Sequence, residues 1–362
     1  MKPEEFRHIM HQKPETALKE FETTEFIKSE IKKLDNMTIH RPLETGLVAE
    51  YTVNDGDYLL FRADIDGLVM EEETGWEYAS TNGKMHACGH DIHASILYGF
   101  AQRVAETKPD QNFIFFFQPA EEGAGGAGLT IQTGIFDNFN IRNAFALHVN
   151  DEFDFGTIAF NDGVLFASAM ELVVDFTGKP AHVASPQYGK NALNAMRTFL
   201  DMAERIPNPV EDPLLLAIGK AEAGKVRNIV PEKARIEGSI RSLNMDKSRA
   251  FFDKLKEVGK ALEVSCGVET DVQREAFYPE VNNDRDLFKV IKPRLDEHFN
   301  TKVIPYKMTG EDFGFFTRQY PSLMFWLGTG EDKRHGLHDP QFLPSDRIIE
   351  KGIEIDSVIA GL

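Results

Sequence analysis

The chain has 362 residues, of which 42% are hydrophobic and 10% aromatic, and a formal net charge of −18. Such a composition buries a real core and argues against disorder, and the length exceeds one ordinary core, so two domains are expected. The acidic balance argues against nucleic acid and anionic membrane as partners, because binding phosphate needs clustered Lys and Arg.

The N-terminal MKPEEFRHIM is charged and has no apolar h-region, so no secretory signal is read there. Two cysteines, Cys88 and Cys266, are too few for a disulfide framework and point to a reducing compartment. No apolar run is long enough to span a bilayer. A cytoplasmic protein is expected.

Along the first part of the chain, short apolar runs alternate with amphipathic stretches. YLLF (58–61), FIFFF (113–117) and AFALHV (144–149) read as buried strands, and 94–107 has helical spacing. Strand, helix, strand predicts an α/β fold with a mainly parallel sheet covered by helices. The middle changes character. ELVVDFTG (171–178), LLLAIGKAE (214–222), ARIEGSIRSL (234–243) and GVETDVQREAF (267–277) read as strands, with helical patterns at 189–206 and 246–263. The order β-α-β-β-α-β is that of a ferredoxin-like α+β sandwich. It predicts a second domain, 169–277, inserted into a first made of 1–168 and 278–362. VIPYKM (303–308) and SLMFWLG (322–328) read as strands of the returning chain.

The densest chemistry lies in MHACGHDIH (85–93), with three histidines, a cysteine and an aspartate. Cys88 and His90 are two apart in a loop, and thiolate with imidazole suits zinc and similar divalent ions. A lone buried Cys or His is more often structural; this cluster favours a metal. Next, FFFQPAEEGAGGAG delivers Glu121 and Glu122 side by side at the end of a buried strand. Adjacent buried carboxylates are costly unless a cation accompanies them. One can bind metal while its neighbour transfers protons. His148 ends AFALHV, and His338 lies in GLHDP after another apolar strand. Ligands in open α/β sheets gather at the carboxyl ends of strands. Five such donors exceed what one zinc needs and match two metals sharing a water. A Cys–His nucleophile pair leaves the glutamates unexplained. There is no G-x-S-x-G elbow and no G-x-G-x-x-G opening a helix.

RADIDGL (62–68), GKMHACGHDIH (83–93), QPAEEGAGGA (118–127), ALHV (146–149), GKPAHVASP (178–186), MTGEDFGFF (308–316) and GLHDP (336–340) together resemble the metal-dependent amidohydrolases that cleave N-acyl amino acids. The resemblance runs over essentially the whole chain. RADIDGL, MTGEDFGFF and FWLG are most similar to the N-acetyldiaminopimelate deacetylase branch. By position, the resemblance implies Cys88, His90, Glu122, His148 and His338 as metal ligands and Glu121 as general base. It implies His182 as a lid histidine reaching the active site of the partner subunit, Asn228 and Arg241 as substrate-binding residues, and Asp66 as a carboxylate orienting a metal ligand. It further implies two divalent ions (zinc, manganese, cobalt or nickel), an inserted domain serving as lid and dimerisation domain, and a homodimer. Two departures bear on substrate preference. Lys179-Pro180-Ala181 precedes His182 where many relatives have Gly-Gly, and Asn228-Ile229-Val230-Pro231 stands where relatives often read Asn-Val-Ile-Pro.

The expected reaction is metal-assisted removal of a small acyl group from an N-acyl amino acid, foremost N-acetyl-LL-diaminopimelate in lysine and diaminopimelate biosynthesis. A general hippurate-type amidohydrolase or dipeptidase is the alternative within catalysis. A catalytically silent metal-binding oligomer is the alternative outside it, and the presence of Glu121 argues against it.

Overall fold

Every side chain of the run Phe113–Phe117 is buried, as an apolar stretch without alternation requires when both faces of a sheet are covered. In the computed structural model, which describes residues 1–206 and 213–362, this run belongs to a sheet of eight strands. In chain order the principal strands are β1 (Met37–His40), β2 (Leu47–Tyr51), β3 (Tyr58–Asp64), β4 (Asn112–Gln118), β5 (Ile141–Asp154) and β6 (Ile158–Phe160). After them come β7 (Ser168–Thr177), β8 (Leu214–Ala223), β9 (Lys233–Ser242), β10 (Glu269–Tyr278), β11 (Thr301–Val303) and β12 (Ser322–Gly330). The larger sheet has the order β1-β2-β4-β3-β5-β12-β6-β11. Its centre, β4-β3-β5-β12, is parallel throughout.

The chain forms two compact units: Met1–Leu165 with Val281–Tyr306 and Asp312–Leu362, and Phe166–Glu280 with Lys307–Glu311. In the larger unit, alternate residues of each strand face opposite layers. Phe61, Phe113, Phe115, Phe145, Leu323, Phe325 and Leu327 join one core with α1 (Pro3–His11), α2 (Phe21–Ile31), α3 (His90–Thr107) and the C-terminal helix Arg347–Ala360. Phe116 points the other way and meets Phe136 and Phe316. Helix α3 is buried through most of its length, which explains its apolar residues on every side.

The smaller unit is a four-stranded antiparallel sheet in the order β8-β9-β7-β10. Met170, Leu172, Val174 and Phe176 of β7 and Ile236 and Ile240 of β9 pack against the helices Ala192–Ala203 and Met245–Cys266. Alternation then puts Glu171, Asp175, Arg235, Glu237, Ser239 and Arg241 on the other face. The first helix begins at Ala192, later than its periodicity predicts, because Asn191 caps it and Lys190 pairs back to Lys179. VIPYKM is strand only at its start: β11 ends at Val303, and Pro305 has no N–H to offer a ladder.

Helix α1 is tied to the start of α3 by a buried network. Arg7 donates to Asp91 at 2.9 Å, and the two ring nitrogens of His11 meet Asp91 at 2.9 Å and Glu72 at 3.1 Å. Burial alone would push His11 down; Asp91 first, then Glu72, outweigh it and raise His11 from 6.5 to about 9. A raised histidine contributes stability in full below its unfolded value and loses it as pH rises through its folded value. The thermal midpoint of the protein should therefore lose its advantage over His11→Gln between pH 6.5 and about 9. A difference between the two that stays constant over that window would contradict the pairing.

Candidate metal centre

Strand β3 has β4 on one side and β5 on the other. The chain leaves β3 through α3 to reach β4 and returns past β3 to reach β5, so β3 marks the point where the winding reverses. Crevices beyond the carboxyl ends of strands open at such points. Here β3 ends at Asp64 with Asp66 just beyond, β4 leads into Glu121 and Glu122, β5 carries His148, and the chain after β12 carries His338.

Gly89 lets Cys88 and His90 reach this crevice. It adopts φ +85°, and a Cβ there would lie 2.3 Å from a Val149 methyl carbon. With the chain turned sharply at Gly89, His90 becomes the first residue of α3 and is completely buried. Its Nδ1 faces the Asp66 carbonyl at 3.0 Å and the Asp66 carboxylate at 3.2 Å, both acceptors, so Nδ1 carries the proton. Its Nε2 is buried with no hydrogen-bond partner among the described residues. His148 has the same orientation: its Nδ1 donates to the Val149 carbonyl at 2.8 Å, and its Nε2 faces Cys88 Sγ at 3.4 Å. Around these atoms lie overlapping sets: Cys88, His90 and His148; Cys88, Glu122 and His338; His90, Glu121 and Glu122. In each set the donor atoms lie within 4.8 Å of one another.

The field in this cage is strongly negative. Burial pushes the Cys88 thiol well up, and Glu122, Glu121 and Asp64 push it further. Burial would lower His90, yet Asp64, Asp66 and Glu122 raise it to about 10. Both shifts express one need, a positive charge among these groups. At the rim His338, half exposed, meets Glu122 at 3.1 Å. Its backbone takes φ +63° and its N–H donates to Ala87 O at 2.9 Å, which fixes it over the Cys88 segment.

The turn carrying Glu121 and Glu122 is built from strained backbone. Ala120 holds φ +59°, a left-handed conformation that costs a residue with a Cβ roughly 1–2 kcal/mol. Gly126 packs so closely that a Cβ would come within 1.7 Å of the Pro119 carbonyl oxygen. Asp66 accepts the Glu122 N–H at 2.9 Å through the carboxylate oxygen not facing His90.

The sequence motifs also hide residues whose roles their types do not announce. Arg62 is fully buried and donates to Asp64, Gln118 and Asp312, each at 2.8 Å. Asp312 also accepts from Gln118 at 2.8 Å and from the Ala127 N–H at 3.0 Å. The RADIDGL and MTGEDFGFF motifs thus meet as one buried ion-pair network. His93 bonds Asp64 at 2.6 Å and accepts the Val149 N–H at 2.9 Å. Of the three histidines in MHACGHDIH, only His90 aims at the Cys88 cluster; His86 is buried elsewhere, and burial lowers it to about 4.

In the smaller unit, His182 and Asn228 lie on two exposed segments that pair with each other. His182 bridges Ile229, and the Val183 N–H donates to Asn228 O at 3.2 Å. Arg241 sits on the helix-free face of the sheet, 3.2 Å from Glu171.

Residues 60–359 match the model of peptidase family M20/M25/M40. This chain belongs to that family. It is 34% identical over 358 residues to an N-acetyldiaminopimelate deacetylase of Bacillus cytotoxicus, covering 97% of this chain and 95% of the relative. It is 35% identical over 351 residues to an N-acetyldiaminopimelate deacetylase of Exiguobacterium sibiricum, covering 95% of each. Among solved structures, a protein of methicillin resistant Staphylococcus aureus described as an aminohydrolase superposes with a TM-score of 0.90 at 26% identity, covering 99% of this chain and 96% of that one. The Bacillus subtilis YXEP protein, described as a dinuclear metal binding peptidase of family M20, superposes with a TM-score of 0.83 at 25% identity, with the same coverage. As an M20 family member, the chain is a metal-binding hydrolase that acts on an amide. The donor set fits a divalent cation: two imidazoles whose Nδ1 atoms are bonded to the Asp66 and Val149 carbonyls and whose Nε2 atoms remain for a metal, beside a thiol and carboxylates that burial leaves short of positive charge.

If the cage is the metal site, Cys88→Ser and His338→Ala should each lower the metal content of purified protein as measured by elemental analysis. Full occupancy in both variants would remove these residues from the site.

Proposed function

We propose that this chain removes the acetyl group of N-acetyl-LL-diaminopimelate, in lysine and diaminopimelate biosynthesis, with two divalent ions held by Cys88, His90, Glu122, His148 and His338. The observation that carries the reading is the pair Glu121–Glu122. Glu122 shares one cluster with Cys88 and His338, and Glu121, itself buried, shares a second with His90 and Glu122. Two neighbouring carboxylates so placed divide into ligand and base. Near-full-length likeness to deacetylases of this substrate supports the acyl group and the acceptor.

Bound divalent ions would polarise the acyl carbonyl and acidify the attacking water. Glu121 takes the proton from that water and returns it to the leaving nitrogen. Asp66 fixes the tautomer of His90 by accepting its Nδ1 proton. His182 stabilises the developing oxyanion, and Arg241 and Asn228 hold the substrate carboxylate; a guanidinium fork suits that task. The net charge of −18 offers no long-range attraction to a substrate with two carboxylates against one ammonium, so local cations must hold its carboxylates.

The smaller unit supports a homodimer in which His182 acts on the partner's substrate. Among the described residues strand β8 lies at the sheet edge, paired to β9, and shows Leu215 at 46% exposure. An edge of this kind pairs across a two-fold axis.

Two measurements test the proposal. Compared side by side, N-acetyl-diaminopimelate should give a higher kcat/KM than hippurate or N-acetyl-methionine; a clear preference for hippurate would move the protein to the general amidohydrolases with its metal chemistry intact. Glu121→Gln subunits, which should keep metal and lose turnover, should regain activity when mixed and re-assembled with inactive His182→Ala subunits. A fully active monomer would rule out the action of His182 in trans.

A further inference from the structure

Glu20 lies in KPETALKEFETT, a stretch with no part in the reaction proposed above. Its side chain is fully buried, and its carboxylate accepts the Ala120 N–H at 2.8 Å. Ala120 is itself fully buried, has the left-handed backbone described above, and immediately precedes Glu121. Glu20 is well anchored for this contact. Its carbonyl accepts the Thr24 N–H at 2.9 Å and the Thr24 hydroxyl at 2.5 Å, and the Thr24 hydroxyl accepts the Gly46 N–H at 2.8 Å. Gly46 in turn lies against Pro119, where a Cβ would come within 2.3 Å of the ring. The first turn of α2 and the start of β2 therefore hold the carboxyl of Glu20 against the back of the catalytic turn.

On the other side of Glu121, the Glu122 N–H ends on Asp66. The two backbone carbonyls between these clamps are also used: Ala120 O accepts from Gly126 at 3.0 Å and Glu121 O from Gly123 at 2.8 Å. Strained backbone persists only where its surroundings over-determine it. Without Glu20, the Ala120 N–H would be buried without a partner, and the turn would lose the contact that opposes relaxation of its left-handed residue.

We propose that Glu20 is a positioning residue for Glu121, fixing its backbone through the Ala120 amide as Asp66 does through the Glu122 amide. The role rests on the reading of Glu121 as the general base. It requires an acceptor oxygen and no charge. Burial, with Asp66 nearby, raises Glu20 to about 7, and the carbonyl oxygen of a protonated carboxyl still accepts an N–H.

The test compares Glu20→Met, Glu20→Gln and Glu20→Asp in the full metal-loaded chain, by kcat and KM on the N-acetyl substrate and by hydrogen exchange at the Ala120 amide. Loss of the contact should lower kcat of Glu20→Met on the order of ten- to a hundredfold, since small displacements of a reacting group cost that much. KM should stay within about twofold, metal content should hold, and the Ala120 amide should exchange faster. Glu20→Gln, which keeps an acceptor, should stay within about threefold of the parent kcat. A parent kcat in Glu20→Met with the Ala120 amide still protected would overturn the proposal, as would Glu20→Gln being as slow as Glu20→Met. If Glu20→Met does not fold, Glu20→Asp decides. Its acceptor is drawn back by one methylene, so it should lose kcat in the same direction, and a parent kcat there would overturn the proposal. Glu121→Gln serves as the reference: if it retains turnover, the base assignment fails, while exchange at Ala120 still reports whether Glu20 holds the turn.

Discussion

Asp64, Asp66, Glu121 and Glu122 converge on Cys88 and His90 beyond the carboxyl ends of two parallel strands, and this concentration of buried negative charge sets the terms for the larger unit. In low-dielectric surroundings such a group of acids is unfavourable unless positive charge accompanies it. The fold answers in two ways. Arg62, fully buried, neutralises Asp64 and Asp312 from inside the sheet. The remaining deficit falls on Cys88 and His90, whose raised proton affinities mark where a cation belongs. Metal binding, in this account, completes the electrostatics of a site that the fold leaves short of positive charge.

The same constraint explains the backbone. Donor atoms drawn from four separate segments must meet within a few ångströms, so the connecting turns are tight. Gly89, Ala120 and His338 all hold positive φ, and each lies at or next to a residue of the cage. Glycine takes this conformation freely, but Ala120 and His338 are strained by it, and such strain clusters where geometry has been fixed for function. The N-terminal helices contribute from behind: α1 secures Asp91, next to His90, and the Glu20 end of α2 secures Ala120, next to Glu121. The segment before β1 therefore serves the site although it supplies no ligand.

Much of this was legible in the sequence, for identifiable reasons. Uninterrupted apolar runs such as FIFFF can only be buried strands, and His, Cys and paired Glu at their ends are too costly to bury without a purpose. The β-α-β-β-α-β order of the smaller unit followed from alternation in strands such as ARIEGSIRSL. What could not be read were contacts between distant segments. Arg62 and Asp312 are 250 residues apart, Glu20 and Ala120 are 100 apart, and nothing in the local pattern of either pair announces its partner. Asp64 and His93 lie in RADIDGL and MHACGHDIH, yet residue type alone does not separate a group that binds metal from one that orients a neighbour. The strand expected at 303–308 failed at Pro305, whose missing donor outweighs the β-branched residues before it.

The central claim is that Cys88 holds a divalent ion beside a base that is not itself a ligand. Cobalt(II) loaded into metal-stripped protein reports on this directly, because a coordinating thiolate gives a sulfur-to-metal charge-transfer band. The parent protein and Glu121→Gln should both show the band, and Cys88→Ser should lack it. The claim is contradicted if the band is absent from the parent protein or unchanged in Cys88→Ser.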